Sequence, residues 1–346
     1  MNPHPDYGIS HANIPDALRL RSVNAHDVDE HADNLSAWEQ HYDQLSAGRF
    51  SGTLTEFWTP NTQVFFEHTS QAVRQSCKVW KEALWFGIPV HHDGTRVDGR
   101  EAPDGAILVR PGDADFELVT PDEHRIFGLV VRHEALDNFC QAQGITPDWS
   151  NLEHARWIAL NTDLRKAAVG LLQHLFSELA QHSVPNPHHA ACRDLEHTVM
   201  ELLLPFVGAA GSCQDVGHDT CASLARRRQV VGQILEYAHQ HPDWVPSVPE
   251  LCERYHLSRR SLQYAFEDVL GTSPAVYLRA MRLNGVRRFL RTGRCTSVQD
   301  AATAWGFWNL SQFSVDYRRF FGERPSDTLH QFETLAPAPR YPARRH

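Results

Sequence analysis

The sequence predicts an α+β chain: a β-rich N-terminal domain, a helical middle, and an all-α C-terminal domain. Three observations carry that prediction. Short runs of aromatic and β-branched residues, separated by turn signals, fill the stretch from Ser51 to Arg132. Two leucine stripes at helical spacing come next. One pattern is then written twice between Val248 and Pro325, and a repeat fixes architecture before any residue is interpreted. The expected domains are 1–150, 151–225 and 226–330, followed by a disordered tail over 331–346.

Residues 1–33 are polar, with Pro, His and Asp, and are expected to start mobile. GTLTEFW, TQVFFEHT, AVRQSCKVW, ALWFGIPV, AILVRPG, DFELVT and RIFGLVVR read as strands. Pro60-Asn61, Pro111-Gly112-Asp113 and Pro121-Asp122 break them, and His92 to Asp104 reads as a polar loop. Short strands with such breaks suggest a sandwich or small barrel. Leu164, Ala168, Leu171, Leu172, Leu175 and Leu179 form one helical stripe. Leu195, Val199, Leu202, Leu203 and Phe206 form another, beyond a break at Pro185-Asn186-Pro187. These stripes either pack on the strands or pair with a second subunit. Gly208 to Ala225 is linker in composition.

The doubled pattern is VPELCERYHLSRRSLQYAFEDVLGTSP, then VQDAATAWGFWNLSQFSVDYRRFFGERP. Val248, Leu251, Cys252 and Leu257 recur as Val298, Ala301, Ala302 and Phe307. After a one-residue slip, Leu262, Phe266, Leu270, Gly271 and Pro274 recur as Phe313, Tyr317, Phe321, Gly322 and Pro325. Each copy reads as helix, tight turn, helix. Ser247 caps a short helix with Glu250 completing a capping box, and Ser258 starts the second helix. Leu262, Ala265, Phe266 and Val269 fall on its inner side; Arg259, Arg260, Gln263 and Tyr264 face out. In the second copy Ser297 is the cap and Gly306 the turn, with Leu310, Phe313, Tyr317 and Phe320 inside. This is the physics of a helix-turn-helix, whose second helix is presented to a major groove. Two units predict contact with two successive grooves about 34 Å apart. The connector, Pro274 to Arg291, spans roughly 27 Å as a helix.

Charge supports a nucleic-acid partner only once the chain is divided. The net charge is −9. Residues 1–225 hold 15 basic and 31 acidic residues, hence −16; residues 226–330 hold 15 and 10, hence +5. Every basic residue after position 225 is arginine. A basic C-terminal part on an acidic chain is the footprint of a nucleic-acid-binding domain. The 7 cysteines are scattered without CxxC or metal-ligand spacing and fit reduced thiols in a cytoplasm. No apolar run is long enough for a membrane span, and no signal region is expected at the start.

The doubled arrangement, with RLNGVRRFL after the first copy, resembles the AraC/XylS family of bacterial transcription regulators. That resemblance implies a cupin-like effector domain over the strands and a homodimer contact through the helices. It also implies an activator that works with RNA polymerase and is not an enzyme. Its base-reading positions fall on Arg260, Gln263 and Tyr264, and on Leu310, Ser311, Ser314 and Val315. An arginine is common in the family where Val315 stands, so weaker reading by the second helix is expected. Helix geometry adds Arg259 and Ser261 to the first outer face, and Asn309 and Gln312 to the second. Arg318 and Arg319 lie nearer the C-terminal end, where phosphate contact is expected.

AWEQHYDQL, QVFFEHTSQAVRQSCKVW, WFGIPV and RPGDADFELVTPDEH further resemble the ethanolamine-operon branch of that family. This implies ethanolamine, with adenosylcobalamin as co-effector. Glu67, Trp80, Trp85, Phe86, His91, His92 and Arg110 are candidate lining residues. An ammonium needs an acid or an aromatic face, and Glu67 or Asp113 supplies the acid. The competing class is a cupin-like enzyme or binding protein with a helical appendage. A metal-binding cupin needs His-x-His, which the sequence lacks; adjacent His91 and His92 on a strand would point to opposite faces. No metal site is expected.

Overall fold

A computed structural model describes residues 20–91, 94–181, 189–208, 218–241, 243–292, 295 and 297–333. It divides the chain into two compact units. The first takes residues up to Tyr42 and Ser51–Cys221; the second takes Asp43–Phe50 and everything from Ala222 on.

The first unit is built on twelve strands: β1 (Arg21–Ala25), β2 (Glu39–Gln44), β3 (Gly52–Trp58), β4 (Thr62–Thr69), β5 (Val73–Lys78), β6 (Ala83–Pro89), β7 (Arg96–Val97), β8 (Arg100–Glu101), β9 (Ala106–Pro111), β10 (Asp115–Thr120), β11 (His124–Arg132) and β12 (Trp157–Ala159). Its helices are α1 (Val28–Ala32), α2 (His133–Ala142), α3 (Trp149–His154), α4 (Thr162–Gln181) and α5 (His189–Gly208). The strands form a 7-stranded sheet, β1-β3-β4-β11-β6-β9-β12, and a 5-stranded sheet, β2-β5-β10-β7-β8. The pairings between β3, β4, β11, β6 and β9 are antiparallel.

Period two sorts the side chains of the larger sheet. Val64, Leu84, Phe86, Ile88, Val109, Phe127 and Leu129 point to one face and share a core with Leu136, Leu172, Val199, Leu203 and Phe206 of the helices. Phe65, Glu67, Trp85 and Ile126 point to the other. With both faces covered, every residue of β6 is buried, which is why ALWFGIP reads as a continuous apolar run. A Cβ on Gly128 would strike the Phe65 ring, so only glycine lets that ring lie across β11.

One expectation needs correction here, and two are narrowed. The expectation for the start of the chain falls on residues 1–19, outside the described residues, while residues 20–33 hold β1 and α1, where Asp27 caps α1 and Arg21 pairs with Glu56 at 2.9 Å. The polar loop after His92 contains the β7–β8 hairpin. Of the two partners left open for the leucine stripes, the sheet of the same chain takes Leu172, Leu195, Val199, Leu203 and Phe206, while Leu171 stays exposed. The Pro185 break and positions 209–217 of the linker lie outside the described residues, as does the tail from 334 on.

The second unit contains α6 (His218–Gln240) from Ala222 on, α7 (Val248–Arg254), α8 (Arg259–Leu270), α9 (Pro274–Arg291), α10 (Val298–Ala304), α11 (Leu310–Phe321) and α12 (Pro325–Glu333). Helix α6 starts seven residues before Ala225, so the linker composition there gave way to helix. Ser247 and Glu250 form a reciprocal capping box on α7, and Ser258 accepts from the Ser261 amide to start α8. Ser297 and Asn309 cap α10 and α11 in the same way. Gly271 and Gly322 end α8 and α11 in the left-handed conformation. Helix α9 covers the expected connector. Leu283, Val286, Leu290, Ala301, Ala302, Phe313, Tyr317 and Phe321 form one core. Leu310 and Phe320, expected inside, are half-buried and pack against this core, and Phe321 joins it as a buried residue.

Residues 43–50 complete this unit. Asn284 donates to the Gln44 carbonyl at 2.8 Å and accepts from the Gln44 amide at 3.3 Å. Arg288 donates to buried Asp43 at 2.8 Å. The Gly48 amide and the Gln44 side chain both donate to the Phe320 carbonyl, each at 2.9 Å.

Candidate nucleic-acid interface and effector interior

Two helix pairs carry the outward faces that the sequence singled out. In the first, Leu262, Ala265, Phe266 and Val269 anchor α8 from behind. Arg259, Arg260, Ser261 and Tyr264 are exposed and Gln263 is half-buried. Arg260 lies over the Tyr264 ring at 5.2 Å and donates to its hydroxyl at 2.9 Å. Gln263 donates to Glu267 at 2.6 Å. In the second, Phe313, Tyr317 and Phe321 anchor α11. Asn309, Ser311, Gln312, Ser314, Val315, Arg318 and Arg319 are exposed, while Leu310 is half-buried against the core. Gln312 donates to Asp316 at 2.9 Å, and Ser314 donates back to the Leu310 carbonyl at 2.9 Å. Trp308 is the most exposed large apolar side chain described, at 73%. The sequence reading passed over it.

Each helix therefore presents an exposed, mostly polar face on a packed, capped support, with Tyr264 on the first and Val315 on the second. Such a face can donate and accept hydrogen bonds at base edges. The arginines at the C-terminal end of α11 suit phosphate oxygens.

The first unit has a small interior cavity between its two sheets. Trp38, Gln40, Phe65, Glu67, Gln75, Cys77, Trp85 and His124 are among the side chains that line it. The free space holds roughly one water molecule. Glu67 is its charged centre. The Tyr42 hydroxyl donates to Glu67 at 3.0 Å, and His31 Nε2 lies 3.0 Å from the same oxygen. Burial alone raises the Glu67 pKa, but the hydrogen bond and charge of His31 outweigh it and hold the carboxyl below its ordinary value. Burial, followed by the Glu67 charge, pushes the Tyr42 hydroxyl well above its usual 10.0. Burial likewise raises the Cys77 thiol, which takes it out of reach as a thiolate. Gln40 Oε1 and Trp85 Nε1 are buried there without a hydrogen-bond partner.

Of the eight candidate effector residues, Glu67 and Trp85 meet in this interior. Phe86 is next to Trp85 on β6 and so points the opposite way, into the helix-covered core. Trp80 packs beside Trp58 and donates to Gln63 at 3.3 Å. Arg110 is ion-paired with Asp98 and lies over Phe116. Asp113 is exposed and paired with Lys78 at 3.1 Å. His91 is an exposed turn residue, and His92 lies outside the described residues. His31, Trp38, Gln40, Tyr42 and His124 were missed. The alternation Trp38, Gln40, Tyr42 was the signal that would have found three of them. Among the described residues, no group of three or more His, Cys, Asp or Glu is placed to hold a metal ion, and no helix is long and apolar enough to cross a membrane.

Comparison with known proteins bears on the second unit. Residues 251–331 match a family model described as a helix-turn-helix domain. The XylDLEGF operon transcriptional activator of Pseudomonas putida is 39% identical over 101 residues, which cover 29% of this chain and 32% of that protein. The probable thc operon regulatory protein of Rhodococcus erythropolis is 27% identical over 154 residues, covering 43% and 45%. The chain thus spans under half the length of these relatives. A probable AraC family regulator from Rhodopseudomonas palustris, known as a crystal structure, is 34% identical; the match covers 30% of this chain and 96% of that one, with a TM-score of 0.27. The doubled motif and the similarity to the Pseudomonas activators converge: the C-terminal unit carries the helix-turn-helix domain of the AraC/XylS family of transcription regulators.

Proposed function

We propose that the whole chain is a transcription activator of the AraC/XylS type, with two helix-turn-helix units on duplex DNA and a cupin-like first unit that binds a small effector. The observation that carries this is the pair of outward helices, α8 and α11, in the part of the chain with a net charge of +5. Binding energy comes chiefly from arginine–phosphate contact, and selectivity from side chains on the two outer faces. RNA polymerase is the partner through which an activator acts.

The effector site is the interior around Glu67. Ethanolamine is the leading ligand: its ammonium would face Glu67 and the aromatic faces of Trp38 and Trp85, and its hydroxyl would serve Gln40 Oε1 and Trp85 Nε1. The interior must widen to admit it, and half-buried Trp38, which donates to Gln63 at 3.1 Å, stands at its edge. A corrinoid is far larger than this interior, so adenosylcobalamin would act from another surface. A homodimer through α4 and α5 would rest on what their core leaves exposed, of which Leu171 is the largest apolar part.

Two measurements test the reading. Anisotropy titrations of the chain on random and selected duplexes, over graded salt, should give a selective complex with a steep salt slope; equal binding to all duplexes sinks the regulator reading. Calorimetry with ethanolamine and adenosylcobalamin, separately and together, should give heat. No heat at millimolar ligand removes the effector assignment and leaves DNA binding intact.

A further inference from the structure

The two helix pairs differ by one inserted residue, and the structure identifies it. Phe307 follows the first turn as Leu257 does, fifty positions earlier; Asn309 caps α11 as Ser258 caps α8, fifty-one positions earlier. The residue with no counterpart between them is Trp308. The first pair closes the same turn without it, so the fold does not require a side chain there. Phe307 packs inward on Phe313, with ring centroids 5.0 Å apart, while Trp308 stands 73% exposed.

Trp308 stands just ahead of the α11 cap, and Val315, on α11 itself, is 62% exposed. Its counterpart in the first pair is Tyr264, also exposed. The polar neighbours of Val315 are occupied within the unit. Gln312 donates to Asp316, which is itself ion-paired with Arg279, and the Ser314 hydroxyl is bonded to its own helix. Arg260 and Gln263 are engaged in the same way on α8, so what sets the second pair apart is its two large exposed apolar side chains, Trp308 and Val315. Arg318 and Arg319 stand exposed on the same helix, and the surrounding stretch is basic, which fits a polyanionic partner rather than an apolar one.

Resting on the DNA-reading function above, we infer that Trp308 and Val315 form a thymine-reading strip: the second helix selects its bases by contact with C5-methyl groups in the major groove, and the first by hydrogen bonds. The thymine methyl is the one apolar group that the major-groove edge displays.

The test uses the full chain. Selection from a random duplex library yields a preferred duplex, and Gln263→Ala marks the element read by α8. Each thymine of the other element is then replaced singly by deoxyuridine, which removes the methyl and keeps the base pair. One or two replacements should weaken binding about four-fold, the loss of one buried methyl. Trp308→Ala should weaken the parent duplex and erase the uracil effect at its position; its melting should match the parent because the side chain is exposed. Val315→Arg should shift the preference at its position towards guanine. If every deoxyuridine duplex binds like its thymine parent, the strip is refuted while DNA reading stands. If Trp308→Ala weakens selected and random duplexes alike, the residue touches backbone and the strip is again refuted. If no duplex is selected over random DNA, the DNA-reading function itself falls.

Discussion

His256 and Gly306 hold the same turn position in the two helix pairs, and both are left-handed, with φ of 52° and 72°. The surrounding hydrogen bonds repeat as well. Leu257 N–H donates to the Cys252 carbonyl at 2.9 Å, and Phe307 N–H to the Ala302 carbonyl at 2.9 Å. This is a Schellman motif used twice, with glycine once and histidine once. A side chain in that conformation costs about 1 kcal/mol or more. His256→Gly should therefore raise stability by about 1 kcal/mol, and Gly306→Ala should lower it by more, since a Cβ there meets Val245 and the Asp243 carbonyl. Denaturant unfolding followed by circular dichroism checks both signs.

Reading and anchoring residues should separate in a salt titration. Gln263→Ala should relax preference at one base pair, worth about 1–3 kcal/mol, and leave the salt dependence unchanged. Arg319→Ala should weaken all duplexes alike and flatten the log–log salt slope by about 0.9. Anisotropy on matched and mismatched duplexes at several salt concentrations reads both quantities. An equal loss of selectivity in both variants would contradict the assignment.

Asn284 satisfies both backbone groups of Gln44 from inside the helical unit. Asn284→Ala strands a buried donor and a buried acceptor together, at about 1–3 kcal/mol for each. The thermal midpoint of the variant should fall by several degrees. An unchanged midpoint would mean that residues 43–50 add nothing to this unit.

Acid stability should depend on Glu67. Its folded pKa lies below the ordinary 4.5. The stability it contributes is complete above the unfolded value and is lost as pH falls through the folded one. Glu67→Gln should thus be less stable than the parent at neutral pH and lose less stability below about pH 4.5, so the two curves converge in acid. Urea unfolding between about pH 3 and 7 tests the convergence.

The helical unit was legible because its signals are local. Ser247, Glu250, Ser258, Gly271 and Pro274 each act within one turn of the chain, so caps, breaks and the span of α9 could be read residue by residue. The seven aromatic runs became strands for a similar reason. What escaped depends on partners distant in sequence. RSVNA of β1 is short and polar, and becomes a strand only beside β3. The stripes of α4 and α5 say that something apolar covers them and not what. Phe86 was misplaced by treating a buried run as one surface, when alternate residues of β6 serve opposite faces.

The hydrogen bonds from Asn284 to Gln44 join residues 240 positions apart, and the chain is made in one direction. At about 5–20 residues per second, Gln44 leaves the ribosome roughly ten to fifty seconds before Asn284 exists. For that interval the segment 43–50 follows a strand whose other residues already have neighbours, while its own lie in unmade sequence. The helical unit is therefore the last part of the chain to close, and it closes around one of the first parts made. A fragment beginning at residue 226 would lack Asp43, Gln44 and Gly48, and would leave Arg288, Asn284 and the Phe320 carbonyl without those contacts.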